Sequence, residues 1–119
     1  MPHTDFSGDI TTRDHEIIEE ILSAWLSVPG LRMKSQRSRF EVSYEDATVE
    51  LYCHEARPAT GTGYGFFLLD GGLALPRAEA ADRLAALGRL CGDRGLRFEI
   101  SHVEVDAEGN ELGDEWTIR

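Results

Sequence analysis

The chain has 119 residues, the length of one ordinary domain, and at that size it needs no disulfide to bury a core. Its 22 acidic residues against 12 basic ones leave a net charge of −10, which disfavours a nucleic-acid-binding face because phosphate contacts draw on clustered Lys and Arg. No apolar run approaches the ~20 residues that a membrane-spanning helix needs. The first residues lack the basic start and apolar stretch of a secretory signal. With Cys53 and Cys91 as its two cysteines, too few for a disulfide framework, the chain is predicted to be cytoplasmic.

The beginning of the chain predicts an irregular arm followed by a helix. Residues 1–12 mix Pro, Gly, Asp and Thr with scattered apolar groups, and we interpret them as an irregular N-terminal arm. Residues 13–119 are predicted to form a single α+β domain. The first helix, capped by Thr11 or Thr12, is indicated by a stripe with helical period that ends before Pro29-Gly30. The stripe consists of Ile17, Ile18, Ile21, Leu22, Trp25 and Val28.

After this helix the apolar period changes to two, which predicts strands. Residues 39–44 and 47–54 form a hairpin if Glu45-Asp46 is a two-residue turn, although this dipeptide suits a type I′ turn poorly and a longer loop is the alternative. The resulting pairs are apolar on one face: Tyr44/Ala47, Val42/Val49 and Phe40/Leu51. Residues 64–69 form a third strand, which Asp70-Gly71-Gly72 ends. The Gly-rich segment 61–65 precedes this strand rather than a helix, so we interpret it as a flexible loop and not as a phosphate site.

The remaining pattern predicts a second helix and a terminal hairpin. The helix runs from Pro76 to Gly92, with a left-handed end at Gly92 or Gly95. The hairpin turns through a three-residue loop that ends at Gly109, the position that needs positive φ. This loop pairs Ile100 with Trp116, Phe98 with Ile118 and His102 with Asp114.

These elements predict a two-layer α+β fold in the order α-β-β-β-α-β-β, with both helices on one face of a mostly antiparallel sheet. The alternation then assigns a set of apolar and aromatic residues to the opposite, outer face of the sheet. That set comprises Tyr52, His54, Phe67, Leu69, Val103 and Val105. Because a solvated face seldom carries so many apolar groups, we expect something to cover it.

The charge is concentrated at the two ends of the chain. Residues 1–20 carry a balance of −5, residues 99–119 carry −6, and the middle carries +1. Carboxylate-rich ends raise the rate of encounter with a basic partner. Within the middle segment, the basic cluster Arg32, Lys34, Arg37 and Arg39 has no acid between its members. We interpret this cluster as a solvated strand start or as a set of internal ion-pair partners.

The side chains that carry chemistry do not form a catalytic constellation. Cys53 and His54 are adjacent, but neighbours on a strand point to opposite faces, and Cys53 continues a buried phase. His102 facing Asp114 is the best titratable pair, with a histidine pKa expected to rise, and we interpret it as a stabilising cross-strand contact. No two of the histidines and cysteines lie at metal-ligand spacing. The sequence therefore predicts neither a metal nor a cofactor.

The pattern as a whole favours a non-catalytic acidic binding protein of bacterial or phage origin. It would occupy a basic surface of a protein partner, as inhibitors and immunity proteins do. The predicted contact residues are Glu104, Glu108, Glu111, Asp114, Glu115 and Trp116 of the terminal hairpin, followed by Glu16, Glu19 and Glu20 of the first helix. Trp25 and Trp116 are both assigned to the core, with an exposed Trp116 acting as an interface anchor as the alternative.

Two other functions remain open at this point. The first is a small enzyme or small-ligand-binding protein with a pocket between the second helix and the sheet, built from His102, Asp114 and His54. The second is a structural homodimer that buries Phe67, Leu69 and Val103 of two outer sheet faces against each other.

Overall fold

The computed structural model describes residues 3–36, 39–56 and 65–119. Two helices pack on one face of a seven-stranded sheet in which every neighbouring pair of strands is antiparallel. In chain order the elements are β1 (His3–Thr11), α1 (His15–Leu26), β2 (Lys34–Gln36), β3 (Arg39–Glu45), β4 (Val49–Ala56), β5 (Phe66–Leu73), α2 (Arg77–Asp93), β6 (Arg97–Val105) and β7 (Trp116–Ile118). The predicted α+β class is confirmed. Within the described residues, neither helix is long and apolar enough to cross a membrane.

The first strand changes the predicted topology. The sheet order is β2-β3-β4-β5-β1-β6-β7, so β1 lies between β5 and β6. The irregular arm predicted for residues 1–12 is therefore wrong over His3–Thr11. The physical reason is an alternation that the polar composition obscured: Thr4, Phe6 and Ile10 are buried, whereas their neighbours Asp5 and Ser7 are exposed.

Helix α1 has the predicted stripe but a different cap. The Asp14 carboxylate accepts hydrogen bonds from the backbone N–H groups of Glu16 and Ile17, so Asp14 caps the helix and the expected Thr11 or Thr12 does not. Trp25 is buried as predicted; its indole Nε1 donates to the Arg83 carbonyl at 2.7 Å and thereby ties α1 to α2.

Helix α2 follows Pro76 closely, as predicted, and Gly95 supplies the left-handed residue after it with φ of 70°.

The β3–β4 hairpin has the longer of the two predicted loops. Asp46 accepts hydrogen bonds from the N–H groups of Thr48 and Val49, each at 2.8 Å, which stabilises a turn between the facing residues Glu45 and Glu50. These bonds lower the pKa of the Asp46 carboxyl. The longer turn moves the register, so the predicted pairs are wrong. Val42 faces Cys53 and Tyr44 faces Leu51, and these pairs are still apolar on the helix side.

The β5 strand contains the glycines that were expected to end it. Asp70, Gly71 and Gly72 all pair within the strand. A methyl group at Gly71 would collide with the carbonyl oxygen of Glu50 on β4. The Gly-rich segment lies outside the described residues over 61–64, as does Arg37 of the basic cluster.

The terminal hairpin keeps its predicted turn and then departs from the predicted register. Asp106 donates its N–H to the Asn110 carbonyl and Gly109 has φ of 85°, as expected. Between the Val105–Glu111 bridge and the His102–Trp116 pair, the terminal segment contains two residues more than β6 does. Trp116 therefore faces His102, Ile118 faces Ile100, and the predicted pairing of His102 with Asp114 is wrong.

We predict that Gly71→Ala lowers the free energy of unfolding by about 3 kcal/mol, because the added methyl group forces β4 and β5 apart. Gly113→Ala is the matched control, since a methyl group there meets no atom within 4 Å, and its effect is expected to stay below about 0.5 kcal/mol. Urea denaturation of both variants measures the difference. Equal losses would contradict the close approach of the two strands.

Candidate functional site

The outer face of the sheet is the main candidate surface. Residues that face one another across antiparallel strands share a side of the sheet, so the register assigns each side chain to a face. Asp5 faces Gly72 and Val103, and Asp70 faces Tyr52 and Ser7, all on the side away from the helices. The acids that the strands place on this face are Asp5, Asp9, Glu41, Glu45, Glu50, Asp70 and Glu99.

A depression of about 360 Å³ lies at the centre of this face. Four acids contribute to its lining, namely Asp5, Glu50, Asp70 and Glu115, and none of the described residues that line it is Lys or Arg. A second depression of about 300 Å³ shares Glu50 and Asp70 and extends the surface to Glu45. We call these two adjoining depressions, with the five acids that line them, the acidic groove.

Small residues give the groove its depth. Gly71, Gly72, Ser7 and Ser101 all line the larger depression, so three strands, β5, β1 and β6, contribute little side-chain volume there. The backbone of β5 thus forms part of the floor. The glycines that sequence analysis assigned to a strand end instead shape a surface.

The acids differ in how they are partnered. Asp5 accepts from the His3 imidazole at 3.1 Å, and Glu41 accepts from the Tyr52 hydroxyl at 2.7 Å. Glu50 and Asp70 have no hydrogen-bond or ion-pair partner among the described residues. Their negative charge is consequently available to a cation that approaches from solvent.

Like charges also meet on this face. Asp9 lies directly opposite Glu99, and partial burial followed by this neighbouring carboxylate raises the pKa of Asp9. The Arg119 guanidinium lies 3.7 Å from Glu99 and relieves part of the repulsion. Like charges directly opposite each other on paired strands are destabilising.

The terminal hairpin supplies a second, adjoining surface. Glu108, Glu111, Asp114 and Glu115 are all exposed, as a partner-binding role requires. Trp116 is 49% exposed, so its assignment to the core is wrong and the alternative of an exposed ring holds.

The exposed indole is nevertheless held in place. The guanidinium carbon of Arg77 lies 4.8 Å from the ring centroid of Trp116, a cation–π contact. The carboxylate of Glu104, on the helix side of β6, accepts a hydrogen bond from the backbone N–H of Arg77 at 3.4 Å.

Two of the three predicted contact residues on α1 are engaged within the protein. Glu19 is only 7% exposed, and its Oε2 accepts from the Met33 N–H at 2.7 Å. Glu20 forms an ion pair with Arg94 at 2.7 Å. Glu16 remains exposed. The contribution of this helix to a partner surface is therefore smaller than the sequence indicated.

The residues of the alternative enzyme pocket do not converge. His102 points to the helix side and His54 to the outer face, because their strand partners, Phe6 and Leu68, lie on opposite sides of the sheet. Burial, with a further contribution from Arg77, lowers the pKa of His102, so the expected rise is wrong. Its Nδ1 is buried without a hydrogen-bond partner among the described residues.

The thiols are buried core groups. Cys53 is inaccessible, as predicted, and burial raises its pKa to about 12, whereas that of Cys91 rises to about 11. Across the described ranges, no three His, Cys, Asp or Glu side chains are grouped as metal ligands.

The outer face also differs from its predicted apolar character. Tyr52, His54 and Val103 lie on it as expected, but Phe67 and Leu69 are fully buried beneath the helices. In a run that is apolar in both phases, the alternation does not reveal which phase is buried. The homodimer hypothesis thereby loses two of its three contact residues.

Comparison of the sequence with protein-family models and with curated proteins gives no match.

We predict that Glu19→Ala lowers the free energy of unfolding by about 2 kcal/mol, since it leaves the buried Met33 N–H without an acceptor. Glu16→Ala removes the same side chain from the exposed side of α1 and is expected to cost at most about 1 kcal/mol. Chemical denaturation compares the two. Equal stability of the two variants would show that Glu19 is a free surface acid and not a buried hydrogen-bond acceptor.

We also predict that the protein loses stability as the pH falls below about 6.5, the ordinary imidazole value. Because the folded-state pKa of His102 is lowered, the unfolded chain binds this proton more strongly, and the free energy of unfolding decreases until the folded-state pKa is passed. Urea titrations at pH 7 and pH 5.5 measure this loss, and His102→Leu should reduce it. An unchanged pH dependence in the His102→Leu variant would show that His102 does not cause this loss of stability.

Proposed function

We propose that the protein is a non-catalytic acidic binding protein that occupies a basic surface of a protein partner, in the manner of inhibitors and immunity proteins. The observation that carries this proposal is the acidic groove, where Glu50 and Asp70 lack partners among the described residues and no described lining residue is Lys or Arg. A cationic surface that binds the groove would neutralise the charges of Glu50 and Asp70.

The distribution of charge supports a role in recognition. The groove lies on the solvent side of a sheet whose other face packs against both helices, so its acids are not needed to hold the core together. Clustered like charges focus the field over a concave surface and increase the association rate with an oppositely charged partner, in a manner that salt suppresses.

The groove and the hairpin form one extended surface. Glu115 lines the groove and immediately precedes the exposed Trp116, so a partner seated on the acids lies beside an aromatic group. Interfaces draw most of their binding energy from a few residues, among which Trp and Arg are enriched. The acids would therefore guide the encounter, and Trp116 with Arg77 would contribute to the bound state.

An NMR titration of ¹⁵N-labelled protein with an octa-arginine peptide tests this proposal. We expect the largest chemical-shift changes at Ser7, Asp70 and Ser101. The affinity should decrease at least tenfold between 50 and 500 mM NaCl, because salt screens the attraction between the peptide and the acids.

Paired variants sharpen the result. Glu50→Gln combined with Asp70→Asn should weaken binding by about tenfold, a loss of roughly 1.4 kcal/mol. Asp82→Asn combined with Asp93→Asn removes the same charge from the exposed surface of α2 and should change the affinity less than about twofold. Equal effects from both pairs, or shift changes centred on α2, would show that net charge rather than the groove attracts the peptide.

A further inference from the structure

The free edge of β7 carries an unusual combination of features. β7 ends the sheet order, and no strand of the described residues lies on its other side. An unpaired edge presents backbone N–H and C=O groups that are ready to pair with another extended segment. Two large hydrophobic residues are exposed in the described structure: Trp116, at 49%, lies in β7, and Leu112, at 57%, lies four residues before it in the same leg of the hairpin.

The opposite edge of the sheet is different. β2 carries Lys34, with Arg32 before it, and a lysine on an edge strand is a common protection against further pairing. Residues Trp116–Ile118 contain neither Lys nor Pro, and the acids Asp114 and Glu115 precede them. Of the two edges, β7 is thus the one without a Lys in the strand, and two acids precede it whereas the single base Arg119 follows it.

We propose that the partner binds by strand addition, with an extended cationic segment pairing along the free edge of β7. This inference rests on the proposed function and specifies the part of the partner that is recognised. Strand addition obtains its affinity from main-chain hydrogen bonds and its specificity from alternate side chains.

The register of β7 defines the pattern of that segment. Trp116 lies on the helix side, opposite His102, whereas Thr117 lies on the outer face, opposite Ser101. A strand beside β7 therefore places one set of side chains along the Trp116 ring and the alternate set on the outer face near Glu115, which lines the acidic groove. The segment that fits alternates apolar with basic residues.

The contact of Arg77 with Trp116 prepares this edge for binding. Because the guanidinium already covers one face of the indole at 4.8 Å, the ring loses less freedom when a strand docks against it. Arg77 is the first residue of the 17-residue helix α2, so the ring is supported by a packed element.

The test uses a capped heptapeptide that alternates arginine with valine, together with two isomers that each carry three N-methyl groups. In a strand, the amides of alternate residues point to the same edge. Methylation of the arginine amides therefore blocks one edge of the peptide, and methylation of the valine amides blocks the other, while charge and composition are preserved.

Strand addition predicts that one isomer loses at least tenfold in affinity and that the other remains within about threefold of the parent peptide. Binding of the parent should slow hydrogen exchange at the amides of the β7 edge, and Trp116→Ala should weaken it about tenfold. Asp82→Ala, on the exposed surface of α2 and outside the proposed binding surface, is the control and should leave the affinity within about twofold.

The outcomes separate this inference from the proposed function. Equal binding of both isomers, with shift changes in the groove and no protection at β7, would overturn strand addition and leave the acidic groove as the binding surface. Absence of any salt-dependent binding by the heptapeptide and by octa-arginine would overturn both proposals.

Discussion

The pairing of β1 with both β5 and β6 is the constraint on which the rest of the structure depends. The strands that precede α2, β2 to β5, and the strands that follow it, β6 and β7, lie on opposite sides of β1 in the sheet. β1 also delivers Phe6 and Ile10 to the core, where the Phe6 ring meets Trp25 edge-on at 6.2 Å. Since a strand alternates between faces, burying these side chains obliges Asp5, Ser7 and Asp9 to face solvent.

The acidic groove is a consequence of this placement of β1 side chains on the solvent side. β1 brings Asp5 between Asp70 of β5 and the terminal hairpin with Glu115, so acids that are remote in sequence line one depression. The arrangement costs stability at Asp9, whose pKa is raised first by its partial burial and then by the facing carboxylate of Glu99. The same sheet ends at β7, where Glu115 joins the groove to the exposed Trp116. One topological feature thus connects the charged surface with the edge proposed to bind a partner.

Local patterns determined the elements more reliably than their pairing. The stripe of α1, the Pro76 start of α2 and the turn at Gly109 were predictable because each depends on residues within one or two turns of chain. The burial of Phe67 rather than Phe66 was not, since both phases of β5 are apolar near its start. The two additional residues after Leu112 likewise have no sequence signal, and they separate His102 from Asp114. The alternation of Thr4, Phe6 and Ile10 was present in the sequence and could have identified β1. Acidity of the surface was predictable from composition, but its location depended on that missed strand.

Native-state hydrogen exchange of β1 tests the central claim most directly. If β1 is an interior strand of the sheet, its paired amides exchange only when the whole protein unfolds, so the free energy of opening at Phe6 and Ile10 matches that at Leu69 and Ile100 on the flanking strands. Exchange of the β1 amides at rates close to those of an unstructured peptide, while β5 and β6 remain protected, would contradict the account. Asp5 would then have no fixed place beside Asp70, and the acidic groove would lose its physical basis.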